Sequence, residues 1–123
     1  MNKSSSQYDE TVDRESILNR LEGNSELLTE LVHLFLEEAP QLMDAMRKAL
    51  EQGDMQTLGR SAHSMKGALG NFLAHTAVSA SSRLEDDAKR VDVEAAKAGL
   101  ATLEVAVDRL LTDLAKLCLG SPK

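Results

Sequence analysis

Apolar residues recur every three or four positions over four long stretches of the chain, the spacing of one face of an α-helix. In "ELLTELVHLFLEEAPQLMDAMRKALEQ" they fall at 28, 31, 32, 35, then 42, 46, 49 and 50, with Asn24 or Ser25 as the capping residue and Gly53 as the stop. Pro40 removes one backbone donor inside this stretch, but the period resumes beyond it, so the pattern predicts one bent helix rather than two. Asp54 caps a second long helix whose buried stripe is Leu58, Ala62, Met65, Leu69 and Phe72. A turn over Asn71 to His75 leads to a third, with Ala77, Ala80 or Ser81, Leu84 and Ala88 inward. Asp92 caps the fourth, where Ala96, Leu100, Leu103, Val107, Leu110, Leu114 and Leu117 alternate steps of four and three. Ahead of these, Asp13 caps a short helix carrying Ile17, Leu18 and Leu21 and ended by Gly23.

Long amphipathic helices joined by short connections pack antiparallel to their sequence neighbours. The pattern therefore predicts an all-α fold, an antiparallel up-down-up-down four-helix bundle with a short N-terminal capping helix. Residues 13–119 form that domain, the polar, Ser-rich 1–12 read as a disordered lead-in or linker, and 120–123 as a flexible tail.

Composition agrees with helices: 42% of the 123 residues are apolar, 2% aromatic, and only two are prolines. The net charge of −6 disfavours nucleic acid as a partner, because neutralising phosphates needs a basic surface. No apolar run is long enough to cross a bilayer, so no direct membrane insertion is expected. The single cysteine, Cys118, can form neither an internal disulfide nor a thiolate cluster and reads as a small core residue.

The unusual stretch is "SAHSMKGALGNF", residues 61 to 72. At about 100° per residue, with Leu58, Ala62, Met65 and Leu69 near 0°, His63 falls about 140° from the core direction and points outward. Gly59, Gly70 and Gly67 fall at about 100°, 120° and 180°, and Lys66 at about 80°. The ring is thus surrounded by glycines at i−4, i+4 and i+7. Gly59 and Gly67, inside the helix, together cost about 2 kcal/mol relative to alanine, and such a penalty beside one side chain points to bare backbone kept for an approaching surface.

An exposed imidazole on a rigid helix can attack an electrophilic phosphoryl group and carry it covalently, as a labile adduct with about two negative charges. Lys66 at i+3 stands where its ammonium could screen the phosphoryl oxygens, and Arg60 at i−3 adds to that field. No serine–acid arrangement accompanies the histidine and no glycine-rich nucleotide loop occurs, so donor and acceptor are expected to be separate proteins and no ATP site is expected.

At these residues the chain resembles the histidine-containing phosphotransfer (HPt) family. "AHSMKGALGNF" is similar to its core motif of His, two variable residues, Lys and Gly, and the resemblance extends back through "NSELLTELVHLFLEEAPQLMDAMRKALEQGD" and forward to "SSRLEDDAKR", roughly residues 14 to 115. It implies that His63 accepts the phosphoryl group, with Lys66 and Gly67 in support. The partners it implies are response-regulator receiver domains with a phosphorylatable aspartate. Phosphate would pass reversibly from one receiver to His63 and on to another, in a carrier role rather than an enzymatic one. No cofactor is held permanently, and Mg²⁺ comes with the receivers. Leu73 departs from the family at a position often occupied by glycine, which puts the following turn in question.

Pairing the second and third long helices about a turn near residue 73 or 74 brings Glu85 to the level of His63. In some family members an acidic or amide side chain from this helix accepts a hydrogen bond from the second ring nitrogen, which makes Glu85 a candidate for orienting the ring. Asn71 and Arg83 are weaker candidates for that role. Gly59, Arg60, Gly70 and Asn71 are the expected partner-binding residues. His33, four residues before Glu37, suits a surface pair better than a metal site, for which no further ligands converge, and His75 reads as a polar turn residue. Leu34 and Leu36, off the main stripe, fit either core under the first helix or an exposed docking patch.

Two other function classes fit a helical domain. A dimeric sensor-kinase histidine domain carries its histidine before an acidic residue and a downstream proline, and "HSMKG" has neither. A plain helical interaction module would carry no phosphate chemistry. The expected carrier is a monomer. It is read as cytoplasmic, and "SSSQ" before the first helix resembles a linker, which favours a domain tethered at the C-terminal end of a membrane hybrid kinase.

Overall fold

The computed structural model describes residues 13–118. Five helices occupy them: α1 (Arg14–Arg20), α2 (Ser25–Gln52), α3 (Met55–Gly70), α4 (His75–Lys89) and α5 (Val93–Cys118). The expected lead-in at 1–12 and tail at 120–123 lie outside the described residues, as does the side chain of Cys118.

Four of the five starts have a side-chain cause, and α4, which begins behind Ala74, has no side-chain cap. The first backbone N–H groups of a helix lack intrahelical acceptors, and a side-chain oxygen just ahead of the helix can supply one. Asp13 accepts from Ser16 N, Asp54 from Thr57 N and Asp92 from Ala95 N. Of the two candidates for α2, Asn24 is the cap, accepting from Leu27 N at 3.0 Å. Gly53 closes α2 in the left-handed conformation, φ 72°, which a residue without Cβ adopts at low cost. Between them α2 runs unbroken through Pro40.

α2 packs on α3, α3 on α4, α4 on α5, and α5 returns to α2. This closed ring of sequence neighbours is the up-down-up-down bundle, and α1 packs at the end of α2. The core includes Val32, Phe35, Met46, Leu58, Met65, Leu69, Leu84, Leu103, Val107 and Leu114. The α2 stripe differs from the sequence reading at its centre. Ala39 and Met43 are buried and Leu42 only half so, because the 3.6-residue period continues straight through the Pro40 turn as 28, 32, 35, 39, 43, 46 and 49.

The other open alternatives are resolved by burial. Ser81 is buried and Ala80 half-buried, so Ser81 faces inward. Leu36 packs against the core, whereas Leu34 is 50% exposed. Phe72, expected as the last residue of the α3 stripe, lies beyond the helix and meets Phe35 edge-on, with ring centroids 5.3 Å apart. The turn ends at Ala74 rather than His75. His75 is the first residue of α4, because the Ala74 carbonyl already accepts from Val78 N. Leu73 takes φ 57°, the left-handed conformation that explains why a glycine would suit this position.

Candidate functional site

His63 stands outward on α3 with its side chain 66% exposed. Across the α3–α4 interface, Glu85 is at the same level and only 13% exposed. Its Oε2 lies 3.1 Å from His63 Nδ1, and its Oε1 accepts from Lys66 Nζ at 3.0 Å. A second ammonium, Lys89 Nζ, is 3.8 Å from Oε2. The antiparallel hairpin of α3 and α4 brings these groups together: residues 22 apart in sequence become lateral neighbours when the turn between them is short.

The ammonium of Lys66, hydrogen-bonded to Glu85, holds that carboxyl below the usual glutamate range. Burial opposes this, and the charge of Lys66 and the His63 ring add to the lowering. Glu85 is therefore ionised at neutral pH and can only accept, so the proton of the His63–Glu85 bond sits on Nδ1. In the neutral ring this leaves the Nε2 lone pair unprotonated. Such a nitrogen is a nucleophile, and an ionised carboxylate behind the ring stabilises the positive charge that develops when it attacks.

The other expected site residues separate into groups. Lys66, expected over the reacting side of the ring, is engaged with Glu85 instead and is 32% exposed. A Cβ built at Gly67 or Gly70 would meet nothing within 4 Å, so the surface around them is bare. Gly59 differs. A Cβ there would lie 3.4 Å from Ala88 Cβ, at ordinary contact distance, so Gly59 faces α4 as well as lining the surface. The Gly70 carbonyl accepts from Arg20 of α1 at 3.0 Å, which ties the end of α3 to the capping helix.

Two grooves flank the ring helix. One of about 580 Å³, between α3 and α4, is lined by His63, Gly59, Arg60, Glu85 and Lys89. The other, of about 680 Å³, lies between α2 and α3 and takes in Gly67 and Asn71 with Glu38 and Gln41. Arg83 lies elsewhere, exposed on the α4–α5 groove beside Asp87, away from His63. His33 is exposed on α2, and among the described residues no group of three or more His, Cys, Asp or Glu could hold a metal ion. Among the described residues no helix is long and apolar enough to cross a membrane.

The sequence reading overlooked Lys89 and Arg20. Lys89 had a visible signal, its i+4 spacing from Glu85 on one helix. Arg20 had none, because its acceptor is a backbone carbonyl 50 residues away.

No curated relative and no solved structure matches the chain. The family model for the Hpt domain matches residues 30–117, which span α3 and α4 with His63, Lys66 and Glu85 and most of α2 and α5. With that match over most of its length, and an exposed histidine on the helical bundle, the chain belongs to the Hpt domain family, the phosphocarrier modules of histidine phosphotransfer in phosphorelays.

Proposed function

We propose that this domain accepts a phosphoryl group on Nε2 of His63 from the aspartyl phosphate of a response-regulator receiver and passes it, reversibly, to a second receiver. The observation that carries the reading is the His63–Glu85 bond at 3.1 Å on a ring that is 66% exposed. The Nε2 lone pair attacks phosphorus, the N–P bond forms as the P–O bond to the receiver carboxylate breaks, and the aspartate leaves ionised. Nδ1 keeps its proton, so no base has to remove one, and the positive charge on the ring faces Glu85. The second transfer is the same step in reverse. Mg²⁺ in this scheme is carried by the receiver. Gly67 and Gly70 leave the surface beside the ring bare for the receiver to approach, and Arg60 and Asn71 stand at the edges of the two grooves.

Profiling against a panel of phosphorylated receivers tests the scheme and names the partner. Label is expected on wild type without added ATP and absent from His63→Gln, whose helical content is unchanged because the ring is outside the core. Equal labelling of both folded proteins would overturn the assignment of His63, and no transfer from any receiver would favour a plain interaction module.

A further inference from the structure

Glu85 faces two lysine ammoniums and the N–H of one imidazole with a single charge. Lys66 Nζ binds Oε1 at 3.0 Å and His63 Nδ1 binds Oε2 at 3.1 Å, while Lys89 Nζ stops 3.8 Å from Oε2. The last separation is beyond hydrogen-bond length, so Lys89 has room to close. It is 71% exposed against 32% for Lys66, and it follows Glu85 by one helical turn in the order that favours an i,i+4 pair. We infer that Lys89 is a positioning residue, the stand-in counter-ion that takes over the Glu85 carboxylate when Lys66 turns to the phosphoryl group on His63.

This inference rests on the carrier reading above. A phosphoryl group on Nε2 adds about two negative charges beside the ring and competes with Glu85 for the Lys66 ammonium. Were Lys66 to leave with nothing replacing it, a carboxylate only 13% exposed would lose the partner that does most to keep it ionised. That loss opposes the move. Lys89 lines the same groove as His63 and Glu85, on the carboxylate's own helix, and a closure of about 1 Å restores the pairing without displacing α4. The exchange leaves one cation on Glu85 and one on the phosphoryl oxygens, where a single lysine would have to serve both.

A double-mutant cycle on phosphohistidine lifetime tests the exchange. Wild type, Lys89→Ala, Lys66→Ala and the double variant are labelled by a phosphorylated receiver, separated from it, and followed as the label is lost. Lys89→Ala should shorten the lifetime about two- to fivefold, the range of a partly exposed ion pair, and Lys89→Arg should restore it. In the Lys66→Ala background, Lys89→Ala should change nothing further, because there is no Lys66 to release. Lifetimes of wild type and Lys89→Ala that agree would overturn the inference, as would effects of the two lysines that simply multiply, which would mean that Lys89 acts on the phosphoryl group directly. Absence of label on wild type would overturn the carrier reading itself, and this inference with it, a result distinct from label that is present but indifferent to Lys89.

Discussion

Oε2 of Glu85 accepts the Nδ1 proton of His63 across the α3–α4 interface at 3.1 Å, and this bond decides which nitrogen of the neutral ring keeps its lone pair. Removing the carboxylate should therefore slow chemistry without unfolding the domain. Glu85→Ala is expected to lower the rate of phosphoryl acceptance about tenfold, the rate equivalent of one charge-assisted hydrogen bond. Imidazole ¹⁵N shifts should at the same time show the Nδ1–H tautomer losing its dominance. An unchanged rate with unchanged shifts would mean that the ring is oriented by something else.

The same carboxylate gives a pH signature. Lys66 first, through its hydrogen bond, holds the Glu85 carboxyl below its usual value of 4.5 in the folded protein. A depressed folded value means that the contribution to stability is fully present above the unfolded value and disappears as pH falls through the folded one. Denaturant unfolding should thus show Glu85→Gln less stable than wild type at neutral pH, with the gap constant down to about pH 5 and shrinking below that. A gap that widened on acidification would contradict the sign of the shift.

Gly67 separates access from stability, since a Cβ there meets nothing within 4 Å. Gly67→Ala should stabilise the helix by up to ~1 kcal/mol. Gly67→Leu should remain folded yet transfer slowly with a receiver, because a bulky chain now stands beside the ring. Receiver-dependent rates and thermal midpoints measured on both variants check this. Wild-type transfer by a folded Gly67→Leu would show that the bare surface is not kept for the receiver.

Ser81 carries a fully buried hydroxyl with no hydrogen-bond partner among the described residues. An unpaired buried hydroxyl is destabilising, and alanine keeps the shape of the site nearly unchanged while favouring the helix. Ser81→Ala should raise stability by about 1 kcal/mol in denaturant titration. A loss of stability would indicate that the hydroxyl is bonded in solution.

Val91, 63% exposed, holds φ 54° just after α4, where the Asp92 N–H reaches back to the Asp87 carbonyl. A β-branched residue in the left-handed region is strained by roughly 1–2 kcal/mol. Val91→Gly relieves that strain and gives up little packing, so a net gain of about 1 kcal/mol is expected after the added freedom of glycine in the unfolded chain. Calorimetry would show a raised midpoint, and a lowered one would place the left-handed cost below the entropy cost.

The helices and the outward direction of His63 were legible in the chain because both depend on local repeats. Apolar residues at three- and four-residue steps define a buried face, and the ring's angle from that face follows from 3.6 residues per turn. The caps at Asp13, Asp54 and Asp92 were equally local, each a side chain reaching three residues on. Short connections then fixed which helices neighbour each other, and so brought Glu85 to the level of His63.

Level is not contact, and the tertiary structure alone decided what touches what. Whether Glu85 meets the ring depends on how α4 is rotated and how closely it approaches. That approach shows in facing pairs such as Gly59 and Ala88, whose separation no periodicity contains. For the same reason Lys66 could be placed near the ring but not assigned to Glu85, and Gly59 could be counted among the glycines around the ring but not seen to face Ala88. The Arg20–Gly70 bond lay further out of reach, because a backbone carbonyl leaves no mark on the sequence. One helix can specify its own faces, but the carboxylate that meets the His63 ring is one that only packing could deliver.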